Sequence, residues 1–259
     1  MRALILSLFF LILTAGFVTQ ARAAEETNFV VTVKARNGMF IGTAGGGAQI
    51  IIRDRRTGDI MASGTTYGAM GDPALLMADS VKRDAVLASE GTARYEFSIE
   101  FWEPTPVTVS ATGPLGQPQN AVTVSEDMIL IPGKDYTAGN GIMLELPGFA
   151  VDLVSPVPNQ KFKMNPKVPV TIEANVMTLD GSLVEKDKPW PPERYQVEVH
   201  VYKDNLYITT MELPYSEEPG IYSANLEIPM PGIYRLLVTA FDPVTKEAGM
   251  DITTVIYEE

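Results

Sequence analysis

The chain has no cysteine and only one histidine in 259 residues. Without thiols it has no disulfide, no Cys-ligated zinc, no iron–sulfur cluster and no thiol nucleophile. One imidazole cannot build a His-rich metal site. Basic residues are also scarce: 20 Lys+Arg stand against 32 Asp+Glu, a formal net charge of −12. A surface of that sign repels phosphate backbones, so nucleic acid is not the expected partner. Long apolar runs are absent beyond the N-terminus, and no Asn-x-Ser/Thr acceptor for N-glycosylation occurs.

What is present at the N-terminus reads as a secretory leader. Arg2 supplies the positive charge, residues 3–18 are uncharged and apolar, and Ala21-Arg22-Ala23 places small residues where a signal peptidase reads them. Cleavage is expected after Ala23. The apolar run falls short of the ~20 residues of a spanning helix, and polar Thr19 and Gln20 follow it. Without cysteine a lipid-anchoring lipobox is excluded. The product is therefore expected to be exported, periplasmic or extracellular, with no integral membrane segment after cleavage.

Most of the remaining sequence alternates with period two. Runs at residues 28–36, 48–54, 93–101, 107–112 and 127–131 are rich in β-branched or aromatic residues and bounded by Gly, Pro or Asp. The theme returns at 151–154, 168–176, 195–202, 206–213, 221–228, 233–241 and 250–257. Short strands this closely spaced predict β-sandwiches; closed barrels are the alternative, and the Pro-rich connections favour two packed sheets. One segment breaks the pattern. Asp72 is a candidate N-cap, Pro73 suits the first helical position and Gly91 a left-handed exit, which predicts one bent helix or two short ones. Leu75, Leu76, Val81, Val86 and Leu87 form no single stripe.

A boundary is expected near Leu146-Pro147-Gly148. The predicted organisation is a leader over 1–23, a β-sandwich over 24–147 with a helical insertion at 68–91, and a second β-sandwich over 148–259. Each unit is large enough to bury a core without disulfides. The short connection predicts a preferred relative orientation.

Residues 48–54 (Ala-Gln-Ile-Ile-Ile-Arg-Asp), the Thr57-Gly58 turn, 62–66, 95–99 and 107–113 resemble the carboxypeptidase regulatory-like, or transthyretin-like, domain. The sequence departs from that pattern between Gly68 and Gly91. Residues 151–156, 170–174 with Asp180-Gly181, and Pro231-Gly232-Ile233-Tyr234 with 238–242 resemble a bacterial immunoglobulin-like domain. That resemblance implies a tyrosine hydroxyl bonded to the corner before its strand, and Pro219-Gly220-Ile221-Tyr222 repeats the signature. The implied fold is all-β, two tandem β-sandwich domains, transthyretin-like then Ig-like. The zinc enzymes that carry regulatory-like domains, and transthyretin-related hydrolases, use several histidines, which this chain lacks.

Candidate chemistry is sparse. Valines at 197, 199 and 201 take a core face, leaving Glu198 and His200 together on the outer one; His200 reads as a solvated strand residue. The run Gly42-Thr43-Ala44-Gly45-Gly46-Gly47 lacks the Lys-Ser/Thr of a P-loop and leads into a strand, so it reads as a flexible hairpin loop. No Gly-x-Ser-x-Gly elbow is present. Asp54 and Asp59, and Asp127, Asp135 and Glu145 around Gly139-Asn140-Gly141, could hold calcium, although Asp and Asn favour turns without a metal. Met61, Met70 and Met77 near the insertion are the thioethers considered for copper, with core filling the preferred role.

Neither a catalytic residue nor a cofactor is assigned. Trp190, in the stiff Lys188-Pro189-Trp190-Pro191-Pro192 loop, either displays its ring to a partner or lies as a lid over the sandwich. Trp190, Met70, Leu75 and Leu76 are the expected partner-binding residues. The expected role is a non-enzymatic interaction or structural module of the cell envelope or extracellular space, its partner another protein there. The alternative is a metal-linked carrier or accessory subunit.

Overall fold

The structure, a computed structural model, describes residues 23–77, 85–164 and 169–259. The leader up to residue 22, Val81 and Val168 lie outside the described residues. In chain order the strands are β1 (Glu25–Ala35), β2 (Gln49–Asp54), β3 (Ile60–Thr65), β4 (Tyr95–Phe101), β5 (Thr105–Gly113), β6 (Val122–Leu130) and β7 (Ile142–Leu146). They continue as β8 (Phe149–Ser155), β9 (Gln160–Lys163), β10 (Val170–Thr178), β11 (Gln196–Lys203) and β12 (Leu206–Glu212). The last three are β13 (Ile221–Leu226), β14 (Gly232–Phe241) and β15 (Ala248–Glu258). The chain is all-β, in sheets ordered β4-β1-β7, β3-β2-β5-β6, β13-β10-β8 and β12-β11-β14-β15-β9.

The alternation seen in the sequence becomes sheet packing. In β5, Val107, Val109 and Ala111 point inward against Ile50 and Ile52 of β2 and Phe29, Val31 and Val33 of β1, forming one core with Leu130, Leu144 and Leu146. A second core joins Val151 and Leu153 of β8 and Ile172 and Val176 of β10 to Val197, Val199 and Val201 of β11 and Leu236, Val238 and Ala240 of β14. Burying each such Val, Leu or Ile is worth about 1.5–3 kcal/mol. Both cores therefore stand on side chains contributed by two facing sheets.

Turn chemistry closes the hairpins where expected. Gly58, at φ 82°, ends the β2–β3 turn and donates to the Asp54 carbonyl at 2.8 Å. The Asp54 carboxylate sits inside this turn, where the Arg56 guanidinium and backbone N–H hold its pKa below the ordinary 3.8. Between β11 and β12, Asp204 and Asn205 both adopt positive φ (49° and 65°), the signature of a type I′ hairpin. Tyr234 donates its hydroxyl to the Met230 carbonyl at 2.9 Å, the bond to the preceding corner that the resemblance implied.

The insertion is described at its two ends, residues 78–84 lying outside the described residues. Asp72 caps as expected, accepting the Ala74 N–H at 2.9 Å at the start of a short helix α1 (Pro73–Leu76), and residues 85–89 have no regular structure. Instead Asn140 serves the backbone, accepting from Leu87 (2.6 Å) and Ala88 (3.0 Å) and donating to Ala85 (3.0 Å). Leu87 then packs with Phe40 and Ala93 in a small core of its own.

The glycine run at 42–47 is a tight support instead of a flexible loop. Gly45 and Gly47 carbonyls accept from Gly116 and Leu115, each at 2.9 Å. A Cβ on Gly46, at φ 77°, would stand 2.4 Å from the Gly116 nitrogen. Two backbones meet there, and only glycine leaves the room.

Candidate interaction surface

Trp190 does not display its ring. It is 7% exposed and belongs to the second core, with its indole N–H donating to the Asn37 carbonyl at 2.7 Å. The prolines around it hold a plug under the loop that follows β1, so the lid alternative describes this residue and the displayed ring is corrected. Met39 from the same loop enters the second core. The insertion residues turn inward too: Met70, Leu76 and Met77 pack on that core, which leaves Leu75 as the half-exposed member of the expected contact set. Their apolar area is spent within the chain, for the physical reason that the insertion reaches across to the second unit.

Polar groups complete this junction. Asp180 is buried and accepts from the Met39 N–H (2.8 Å), the Thr178 hydroxyl (2.9 Å) and the Ser182 N–H (3.0 Å). Glu247, also buried, takes the Asn37 amide at 2.6 Å and faces Arg36 at 3.5 Å. Asn120 makes a reciprocal pair with the Val151 backbone at 2.9 and 3.1 Å. Within the second unit, beside this junction in sequence but not across it, Asp242 is fully buried and receives Arg194 Nε at 2.8 Å, the Val244 N–H at 2.8 Å and the Thr245 hydroxyl at 2.9 Å. Burial pushes the Asp242 carboxyl up, but Arg194 with the Val244 and Thr245 donors overcomes this and holds its pKa below 3.8. Burial also raises the hydroxyl of neighbouring Tyr195 to about 12.

The carboxylates considered for calcium do not converge. Asp135 accepts from the Asn28 N–H at 2.9 Å, Glu145 pairs with Lys34 at 3.1 Å, and Asp127 pairs with Arg55 at 3.3 Å. Among the described residues no group of three His, Asp or Glu side chains could hold a metal. Met61 packs on the first core and Met70 and Met77 on the second, so these thioethers are not gathered.

His200 and Glu198 do share the outer face of the five-stranded sheet. His200 bridges three strands, its Nδ1 2.9 Å from the Thr210 hydroxyl on β12 and its Nε2 3.1 Å from that of Thr239 on β14. Leu237 of β14 lies directly opposite Ile252 of β15, Ile233 opposite Ile256, and Thr239 opposite Met250. Ile233 and Met250 are each 55% exposed and Ile252 46%, so apolar side chains run in a ladder over a face open to solvent. The Arg235 guanidinium lies over the Tyr202 ring at 4.7 Å, and Tyr207 packs edge-on against Tyr202. Polar Arg235, Thr239 and Thr254 alternate with these apolar side chains on the same face.

The same sheet ends in an open edge. Strand β12 is the last in its sheet, and Leu206, Tyr207 and Ile208 at its start are 70%, 60% and 46% exposed. The sequence carried a sign of this: three apolar residues in a row, directly after an Asp-Asn turn, cannot all face one core. A second concave feature, a groove of about 890 Å³, lies at the root of the insertion between Tyr67, Glu90, Arg94 and Tyr95. Tyr95 fills the space over Gly64 and donates to the Ser63 carbonyl at 3.0 Å.

No family model matches the chain, and no curated protein matches it. Solved structures with some likeness include the fibronectin(III)-like modules of Clostridium thermocellum CbhA, at 11% identity over 90% of this chain and 86% of that one, with a TM-score of 0.28. Titin domains Z1Z2 in complex with telethonin match at 14% identity over 93% and 98%, with a TM-score of 0.24. An engineered protein matches at 16% identity over 50% of this chain, with a TM-score of 0.32, and only 24% of its own length is spanned. The sandwich architecture of this chain rests on the strand pairing and the two cores described above.

Proposed function

We infer that the chain is an exported, non-enzymatic interaction module whose contact surface is the outer face and open edge of the five-stranded sheet. The carrying observation is a set of apolar side chains on the outer face, Ile233, Met250 and Ile252 beside half-buried Leu237, together with exposed Tyr207 and Ile208 on the edge strand of the same sheet. Export is supported by the Arg2, apolar and Ala21-Arg22-Ala23 pattern. On this reading residues 24–147 form a regulatory-like, transthyretin-like unit and residues 148–259 an Ig-like unit, and the first braces the second through the junction at Trp190, Asp180 and Glu247. The partner is another protein of the envelope or extracellular space.

A photo-crosslinking side chain placed at Ile252 or at Tyr207 in the native host tests this. Irradiation is expected to give one discrete adduct with a second polypeptide, absent when the same group replaces Lys188. Failure of both positions to form any adduct above the Lys188 control would refute the surface.

A further inference from the structure

We propose that the free edge of β12 takes an extended, basic polypeptide strand, added as a sixth member of the sheet; this rests on the interaction-module reading and names the class of partner. The Leu213 N–H donates to the Val197 carbonyl at 2.8 Å, and the same register runs through Glu198↔Glu212, Val199↔Met211, His200↔Thr210 and Val201↔Thr209. Because bonded and non-bonded pairs alternate in an antiparallel ladder, Met211 and Thr209 turn their backbone groups to β11, whereas Thr210 and Glu212 turn theirs away. The Thr210 carbonyl meets only the Thr209 hydroxyl at 3.4 Å. The register shift lies at Val201/Tyr202, nearer the turn, and so leaves the outward groups of Thr210 and Glu212 in regular geometry.

Charge identifies the occupant. Glu198 and Glu212 are directly opposite on the outer face, an arrangement that costs stability when nothing neutralises it. Glu198 has His200 at 3.9 Å, whereas Glu212 has neither an ion-pair nor a hydrogen-bond partner among the described residues. An incoming residue paired with Glu212 would sit beside its carboxylate, and a Lys or Arg there supplies the missing cation. A second copy of the chain fits poorly: β12 reads Leu-Tyr-Ile-Thr-Thr-Met-Glu, with no basic residue, and each copy carries a net charge of −12. Backbone bonds to Thr210 and Glu212 would give affinity, and the side chain opposite Glu212 would give selectivity.

The test uses the full purified chain and two synthetic peptides, Thr-Val-Thr-Val-Arg-Val-Thr-Val-Thr and the same sequence with Glu at its centre. Nuclear magnetic resonance titration should show the arginine peptide binding about fivefold or more tighter than the glutamate peptide, with slowed exchange of the Thr210 and Glu212 amides. Glu212→Lys should reverse the preference. Equal affinity, binding of neither peptide at millimolar concentration, or unprotected Thr210 and Glu212 amides would overturn the proposal. So would a concentration-dependent dimer that protects those amides without peptide, since a second copy would then hold the edge. A persisting adduct at Ile252 alongside any of these results would leave the module reading intact and remove the β12 assignment alone.

Discussion

Replacing Arg194 with Met keeps much of the aliphatic stem and removes the charged guanidinium that lies over the Tyr195 ring at 5.9 Å. It strands Asp242, which is fully buried and loses two of its closest donors, Nε at 2.8 Å and Nη2 at 2.5 Å. Breaking a buried pair by deleting one partner costs about 3–5 kcal/mol. The Arg194 side chain is 30% exposed and the Val244 and Thr245 donors remain, so the lower end, about 3 kcal/mol at pH 7, applies. At roughly 2–4 °C per kcal/mol for a chain of this size, the melting midpoint should fall by about 6–12 °C. The pH dependence separates charge from packing. In the parent protein the Asp242 pKa is depressed below 3.8, so its contribution is present above that value and lost as pH falls through the folded value. In Arg194→Met burial is left to raise the Asp242 pKa, so its penalty grows as pH rises through the carboxylate range. The two proteins should therefore converge near pH 3, leaving about 1 kcal/mol of lost hydrogen bonding. Urea unfolding of both proteins between pH 3 and 7 measures this. A difference that stays constant across that range would refute the electrostatic account of the Arg194–Asp242 pair.

Trp190→Ala should cost about 3–5 kcal/mol by chemical denaturation, as for other large buried aromatics, while Trp190→Phe should cost only about 1–3 because it chiefly orphans the Asn37 carbonyl. Asn120→Ala removes both bonds to the Val151 backbone and should lower stability by about 2–4 kcal/mol, with faster amide exchange at Val151 than at Val109. Gly64→Ala would place a Cβ 2.1 Å from the Tyr95 ring. That should cost about 1–3 kcal/mol and, by near-ultraviolet circular dichroism, change the tyrosine signal; an unchanged spectrum and midpoint would show that the ring is not held there.

Strand content was legible because half-buried sheets write their alternation directly into the sequence. Val197, Val199 and Val201 predicted which way His200 faces, and Asp72-Pro73 predicted a cap that is present. Three other features depend on partners distant in sequence. Trp190 looked like a displayed ring because nothing local reveals that Asn37, 153 residues away, offers it a carbonyl. The segment from Asp72 to Gly91 carries helix punctuation at its ends, but near its end Asn140 supplies the backbone bonds of Ala85, Leu87 and Ala88. Strands β7 and β9 are short, and they hold their places by parallel pairing with β1 and β15. Parallel partners are remote along the chain, so no turn signal announces them.

The placement of junction and open edge bears on how such a module works. Trp190 precedes β11 and Glu247 precedes β15, so the braced contacts lie at one end of the second sandwich. The Asp204-Asn205 turn lies at the other end, seven residue steps along β11 from Gln196 to Lys203, or about 23 Å at roughly 3.3 Å per residue. Polar groups tolerate burial only when each is matched, and the junction meets that condition at Asp180 and Asn120, which fixes orientation more sharply than apolar contact alone. Among the exposed apolar residues, Leu206, Tyr207 and Ile208 lie together at the far hairpin. If those residues served only to pack the sandwich, Ile208→Lys would destabilise it. With both sides of that stretch open to solvent, the substitution should instead leave the unfolding midpoint within about 0.5 kcal/mol of the parent and abolish the Tyr207 crosslink.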